Sequence, residues 1–260
     1  MVDAIDIVVV NYKRHDLTKQ FLDSFFQYEP SSYYTLTVID NEGDYGMAYR
    51  LKREYPGVLF YIMEQNLGYA RACNFGVGLN DNPYVVLFNN DMTFINDNCI
   101  DLCIDYLKNN DDVAVVGPLQ YSSNGKVTHG GIFGTLDKPE HRQFGGNNID
   151  SCRDVREAVT VSGSAYFTKR SIWNEMQNCS IFKSEFPEAK GAFPPFPHFF
   201  EETLYSYHIS GHGYKCVYLG TAEMIHEWHQ SSPHGSQDEN FKYGQKYFRQ
   251  FCSKHGIPCD

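Results

Sequence analysis

The chain opens MVDAIDIVVVNY, with Asp3 and Asp6 where a secretory leader needs a basic start and an unbroken apolar core. Nowhere does it approach the ~18–20 apolar residues of a membrane-spanning helix. The expectation is a cytoplasmic chain without a membrane span. Its eight cysteines, at 73, 99, 103, 152, 179, 216, 252 and 259, include no Cys-x-x-Cys pair. That spacing argues against a structural zinc site, and in an intracellular chain it reads as free thiols. Positive charge is scarce: 22 Lys and Arg against 32 Asp and Glu leave a formal net charge of −10. The basic clusters are short, Lys13-Arg14, Lys52-Arg53 and Lys169-Arg170. Such a chain repels a polyanion, so a nucleic-acid partner is not expected. A bound diphosphate would need a metal or local cations. No Gly-x-Gly-x-x-Gly follows the first apolar run, which removes the main support for a dinucleotide oxidoreductase. No internal repeat or low-complexity tract is present.

What is present is an ordinary globular composition, 42% apolar, with 19 Tyr and 19 Phe. The aromatics suit sugar stacking, although core packing accounts for most such residues. At 260 residues the chain is one large domain or two small ones.

The organising stretch is 84–92, YVVLFNNDM. Five apolar residues read as a strand buried on both faces. The run stops at Asn89, Asn90 and Asp91. In an open α/β sheet, ligands sit beyond the carboxyl ends of the strands. An acid there suits a hard divalent cation that shares phosphate oxygens, and a polar turn is the plain alternative.

Similar strands are expected at 5–10, 34–39 and 58–63, separated by helices at 16–27, 47–55 and 69–79. The alternation implies crossover units and a parallel sheet whose strand ends share one edge. A helix at 99–109 and a strand at 113–116 follow. Residues 117–156 read as hairpins and loops. A strand is expected at 159–162, continuing through 166–168, then a helix at 169–176. The stretch 183–199 has four prolines and reads as a loop. A helix at 201–210, a strand at 214–218, a polar segment with His226, His229 and His234, and a helix at 238–254 complete the chain.

These pieces, in this order, resemble the GT-A glycosyltransferases of the large inverting family 2. IVVVNYKR (7–14) is similar to the family's opening strand and loop, and VIDNEGD (38–44) to its strand-end Asp. NLGYARACNFGV (66–77) resembles the Asn-x-Gly-aromatic-Ala-x-x-x-Asn-x-Gly segment, and VLFNNDM (86–92) stands at the Asp-x-Asp position. VSGSAYFTKR (161–170) resembles the acceptor-side strand, FFEETLYSYHISGHGYK (199–215) the Glu-Asp segment, and MIHEWHQSS (224–232) the late His. Two departures stand out: Asn89 replaces the first acid of Asp-x-Asp, and Glu202 replaces the Asp of Glu-Asp.

The resemblance implies a mostly parallel α/β sheet flanked by helices, with an acceptor-side α+β half. Residues 1–117 would be the nucleotide-sugar-binding half and 118–260 the acceptor-binding half of one domain. The implied activity is metal-dependent, inverting transfer of a hexosyl or pentosyl group from a UDP- or dTDP-linked sugar to a glycan hydroxyl, with Mn2+ or Mg2+. Asp91 and His226 would hold the metal. His229 and His234 are weaker candidates. Asn11, Tyr12, Asp40, Asn66, Gly68, Arg71, Asn74, Asn89 and Asn90 would line the nucleotide-sugar site. Glu202, with Glu201 beside it, would be the general base, because inversion needs a carboxylate opposite the leaving group. Gly163, Ser164 and Trp173 would face the acceptor.

Two other functions compete. A sugar-phosphate nucleotidyltransferase would carry a Gly-rich basic loop after the first strand, where Asn11-Tyr12-Lys13-Arg14 has no Gly. A non-catalytic glycan-binding module would have no need of Asp91, Glu202 and His226 together. Donor sugar, acceptor and oligomeric state are not legible.

Overall fold

The computed structural model describes residues 4–28, 30–41, 45–135, 138–196, 198–227 and 239–255. The first half alternates β1 (Ala4–Asn11), α1 (His15–Gln27), β2 (Tyr33–Asp40), α2 (Tyr45–Glu54), β3 (Leu59–Ile62), α3 (Tyr69–Val77) and β4 (Tyr84–Asn89). β1 and β4 are β-branched and aromatic runs buried almost throughout, a pattern that needs helices on both faces of the sheet. The strands pair in parallel in the order β3-β2-β1-β4. Register sets Asn11 opposite Asp40 and Val10 opposite Asn89. The polar strand ends therefore meet on one edge.

The second half contains β5 (Met92–Thr93), α4 (Cys99–Asn109), β6 (Val113–Tyr121), β7 (Val127–His129), β8 (Ile132–Gly134), β9 (Pro139–His141), β10 (Val155–Ala158) and β11 (Ala165–Lys169). It continues with α5 (Arg170–Asn178), α6 (Ser180–Glu185), α7 (Glu201–Gly211), β12 (Lys215–His226) and α8 (Glu239–Lys254). The sheet runs on from β4 as β11-β6-β12-β10. β11 is antiparallel to both β4 and β6, whereas β12 is parallel to β6. The whole is a mostly parallel sheet flanked by helices.

Four expectations need correction. β6 does not end at Val116 but continues to Tyr121. Gly117 lets it pass Val161, whose Cβ would lie 2.5 Å from a Cβ at that position. Pro118 sits where the β6–β12 register breaks, the kind of place where a missing N–H is tolerated. β12 runs eight residues past the expected end at 218, so His226 closes a strand instead of lying in a loop. The strand expected at 159–162 is a loop with a single bridge between Thr160 and Ile132, and β10 precedes it. α6 occupies the start of the proline-rich stretch.

One face of the sheet buries Phe21 and Phe25 of α1 against Phe88 and Phe94. The other buries Tyr166, Trp173, Phe193 and Tyr205. α8 closes a third, smaller cluster through Phe248 and Cys252 against Phe182, Phe186, Phe196 and Leu204.

A buried ion pair ties the halves together. The Arg170 Nη2 donates to Asp6 Oδ2 at 2.7 Å, Nη1 to the Val77 carbonyl at 2.6 Å and Nε to the Asn82 carbonyl at 3.3 Å. Asn82 also donates to Asp6. Burial raises the Asp6 carboxyl even though Arg170 and Asn82 pull it down. Removing the cation would leave a buried carboxylate without its counter-charge. Arg170→Met should cost about 3–5 kcal/mol in urea unfolding at pH 7. Adding Asp6→Asn should recover a good part of that loss; a double variant no more stable than Arg170→Met would contradict the pairing.

Candidate active site

The carboxyl ends of β1, β2 and β4 are joined by a buried polar network. Asn11 Nδ2 donates to Asp40 Oδ1 at 2.8 Å, and His15 Nε2 donates to Asp40 Oδ2 at 2.9 Å. Asn90 Nδ2 donates to Asn11 Oδ1 at 2.8 Å, to the Arg14 carbonyl at 3.0 Å and to Thr18 Oγ1 at 3.1 Å. Thr18 Oγ1 in turn donates to Asn11 Oδ1 at 3.0 Å. Buried amides and carboxylates without such partners would cost several kcal/mol, so the network fixes where the chain turns after Asn89. Asp40 is 1% exposed, and both its oxygens already accept hydrogen bonds. Asp40 and Asn90 thus tie the ends of β2, β1 and β4 together, a use that the sequence did not indicate. His15 and Thr18, also unforeseen, supply their partners from α1.

A second turn lies beside it. Asn41 Nδ2 donates to Asn66 Oδ1 at 2.9 Å, and Asn41 Oδ1 accepts the Leu67 N–H at 2.7 Å. Asn66 Oδ1 also accepts the Gly68 N–H at 2.8 Å. Gly68, at φ 80°, starts α3 in a conformation that a side chain would resist. Tyr12, partly exposed, carries the Lys13 ammonium 4.8 Å from its ring centre.

Asp91 and His226 come together because β5 pairs with the end of β12, setting Met92 opposite His226. Asp91 is 9% exposed and His226 4%. Asp91 Oδ1 and His226 Nδ1 are both buried and have no hydrogen-bond partner among the described residues. His226 Nε2 stands 3.4 Å from Asp91 Oδ1, long for a hydrogen bond. A carboxylate and an imidazole, buried and poorly satisfied, fit a manganese-like ion that takes its other ligands from water and phosphate. Positive charge is near: the Arg14 guanidinium, held by Asp16 at 2.7 and 2.9 Å, feels the Asp91 charge.

His129 was missed in the sequence because it lies in a short hairpin strand. Burial, and then the neighbouring His141 and His226, drop its pKa to about 3, so it is neutral. Its Nε2 accepts the Ser162 N–H at 3.4 Å.

Phe199 and Phe200 both adopt left-handed backbone, at φ 70° and 69°, before α7 begins at Glu201. Such strain in bulky residues persists only where the surroundings enforce it. Here it delivers two acids to a helix start. Burial, then the Glu202 charge, drives the Glu201 carboxyl well up, and Glu201 Oε2 has no partner among the described residues. Burial raises Glu202 as well, to about 7, against the backbone N–H groups of Glu202 and Thr203 that favour its charge. Gly163 faces Glu202: a Cβ there would lie 3.7–3.8 Å from the Glu202 side chain. The Gly163 carbonyl accepts the Tyr69 hydroxyl at 2.6 Å. The Ser164 carbonyl accepts the Asn89 N–H at 2.9 Å. Gly163-Ser164 therefore links the acid pair to the strand end that carries Asp91.

Three expected site residues have other tasks. Asn74 is buried, with Nδ2 donating to the Phe193 carbonyl at 2.9 Å and Oδ1 accepting the Phe193 N–H at 3.1 Å. It clamps the 191–196 loop, whereas Arg71, three residues earlier on α3, is exposed. Trp173 lies in the core, 5.1 Å from the Phe193 ring and 5.5 Å from the Tyr205 ring, because α5 turns its apolar stripe inward. The Ser164 hydroxyl is buried and donates to Gln120 Oε1 at 2.7 Å. His229 and His234 lie outside the described residues.

The crossover sheet with an acid at its β4 edge is the fold of a GT-A glycosyltransferase. Residues 6–173 match the model of glycosyl transferase family 2, and the chain belongs to that family. Solved structures share the fold at low identity. The mannosyltransferase PcManGT from Pyrobaculum calidifontis, in complex with GDP-Man and Mn2+, is 13% identical over 88% of this chain and 58% of its own, with a TM-score of 0.60. GalNAc-T7 with UDP, GalNAc and Mn2+ is 13% identical over 93% of this chain and 48% of its own, with a TM-score of 0.65. S. aureus TarS 1-349 is 13% identical over 86% and 60%, with a TM-score of 0.58. The chain thus spans between 48% and 60% of these three. No curated protein sequence matches it. Among the described residues, no helix is long and apolar enough to cross a membrane.

The acid pair has a stability signature. Carboxyls raised above their unfolded values bind more protons in the folded than in the unfolded state. Their contribution is present at pH 4 and is lost as pH rises through the raised values. Glu201→Gln removes one of the charges, so its melting temperature relative to wild type should increase from pH 5 to pH 8. Thermal unfolding followed by circular dichroism checks this, and a difference that does not change with pH would contradict the buried pair.

Proposed function

We propose that the protein transfers a hexosyl or pentosyl group, with inversion, from a UDP- or dTDP-linked sugar to a hydroxyl of a glycan acceptor. The carrying observation is the crevice itself: an under-satisfied Asp91–His226 pair on one side and raised carboxyls at Glu201 and Glu202 on the other. Mn2+ and nucleotide sugars or nucleotides bound in the related structures support this reading. The donor would lie against the 1–117 half and the acceptor against the 118–260 half.

In this reading Asp91 and His226 hold Mn2+ or Mg2+, which when bound neutralises the charge of the departing diphosphate. Asn89, at the β4 end, and Arg14, near Asp91, meet the donor's ribose and phosphates. Tyr12 and the Asn66–Gly68 turn line the base side. Arg71, exposed on α3, is placed for a phosphate only if the donor reaches that helix. Glu202 takes the proton of the acceptor hydroxyl as its oxygen bonds to the anomeric carbon. The bond to the diphosphate breaks on the opposite face, and its electron pair leaves with the phosphate. Burial keeps the Glu202 carboxylate basic.

General-base work typically supplies ~10²–10⁴-fold, so Glu202→Gln should lower turnover by about that factor with donor affinity little changed. Wild-type kcat/KM should rise with pH through about 7, because the base acts only when ionised. A flat profile, or full activity in Glu202→Gln, would assign the base elsewhere. Asp91→Ala should abolish the manganese-dependent thermal protection given by UDP, while its circular dichroism stays that of wild type. Unchanged protection would displace the metal from this edge.

A further inference from the structure

A second constellation of ligand-type side chains lies away from the crevice, where α5, α6 and the end of α7 meet. Cys179 stands between α5 and α6, and His208 and His212 lie four residues apart at the end of α7. Cys179 Sγ is 3.8 Å from His212 Nε2. One ligand atom from each of the three residues falls within 4.8 Å of the others. We propose that Cys179, His208 and His212 bind a zinc ion, with Glu175 orienting His212.

The distances support this assignment. Tetrahedral Zn2+, with Zn–S about 2.3 Å and Zn–N about 2.0–2.1 Å, holds its ligand atoms roughly 3.3–3.6 Å apart. The Cys179–His212 edge is already close to that. The longest edge closes by roughly 1–1.5 Å, within reach of side-chain rotation at a partly exposed site.

His208 gives the independent reason. Both of its ring nitrogens are buried, and neither has a hydrogen-bond partner among the described residues. Its ring stacks on Phe182 with the centres 5.6 Å apart. An imidazole with two buried, unpaired nitrogens is costly unless something ligates it.

The surroundings complete the arrangement. Glu175 Oε1 is 3.5 Å from His212 Nδ1, and Glu175 Oε2 accepts the Tyr214 hydroxyl at 2.8 Å. A carboxylate on the second nitrogen of a ligating histidine fixes its tautomer and raises its basicity. Three protein ligands leave the fourth position to water, on the side where His212 is exposed.

This site does not depend on the catalytic reading. It lies at the far end of α7 from Glu201 and Glu202, an 11-residue helix of roughly 16 Å. Its consequence is mechanical: zinc would pin the end of the helix that presents the acid pair to the junction of α5 and α6. Cysteine spacing gave no hint of it, since the single thiol comes from one loop and the imidazoles from the end of α7, 29 and 33 residues later.

The test is a Co2+ titration of the full chain, without an affinity tag, followed by displacement with Zn2+. One equivalent should give a near-ultraviolet thiolate-to-cobalt band and tetrahedral visible bands, all lost on adding Zn2+. Asp91→Ala should keep them, because the crevice has no thiolate among Asp91 and His226. Cys179→Ser should lose the near-ultraviolet band, and Glu175→Gln should weaken affinity about 10–100-fold. At 100-fold over its Kd, Zn2+ should raise the melting temperature by roughly 5–10 °C in wild type and not in Cys179→Ser. If Cys179→Ser changes the far-ultraviolet spectrum, His212→Gln, at a more exposed position, serves instead by losing the visible bands. No charge-transfer band at equimolar Co2+, or an undiminished band in a folded Cys179→Ser, would overturn the proposal.

Discussion

The proposed active site rests on one buried hydrogen-bond network, Asn90 to Asn11 to Asp40, closed by Thr18 and His15. It joins the ends of β1, β2 and β4 and the start of α1. Each member is buried, and each would be expensive if unpaired. The network therefore leaves the chain one course after β4, and that course brings Asp91 out at the sheet edge. β5 then pairs with β12 and sets His226 beside it.

The opposite wall obeys a different constraint. Two left-handed phenylalanines, a buried acid and a half-buried one beside it are locally unfavourable choices. Natural sequences depart from local preference mostly where function demands it. Both acids sit at a helix start, where the dipole favours their charge, yet burial wins and holds the carboxyls high. That compromise yields a group able both to accept and to release a proton near neutral pH.

Much of the fold was legible in the sequence, and for simple reasons. The first-half strands are continuous apolar runs punctuated by polar ends and helical periods, so order and parallel sense followed. Asp91, His226, Glu202 and the segment 66–77 were located by their resemblance to the family, and the structure sets Asp91 next to His226. Long-range pairing was not legible. β12 outruns its apolar core because β6 and β5 pair with its polar end, which changed the setting of His226. The helical spacing of Arg71 and Asn74 suggested a common face, but it could not show that Phe193 claims Asn74. Trp173 likewise follows the core stripe of α5. The left-handed turn at Phe199 and Phe200, the burial of His129 and that of the His208 ring nitrogens depend on contacts between segments far apart in the chain.

The central claim is that a carboxylate on α7 drives direct displacement at the anomeric carbon, with the diphosphate leaving from the Asp91 side. The anomeric configuration of the product tests it most directly. A panel of α-linked UDP- and dTDP-sugars is offered with a glycan acceptor, and the new linkage is read from its NMR coupling constants. The account predicts a β-linked product, formed without any sugar bound covalently to the protein. An α-linked product would contradict it, even with the fold and the family unchanged.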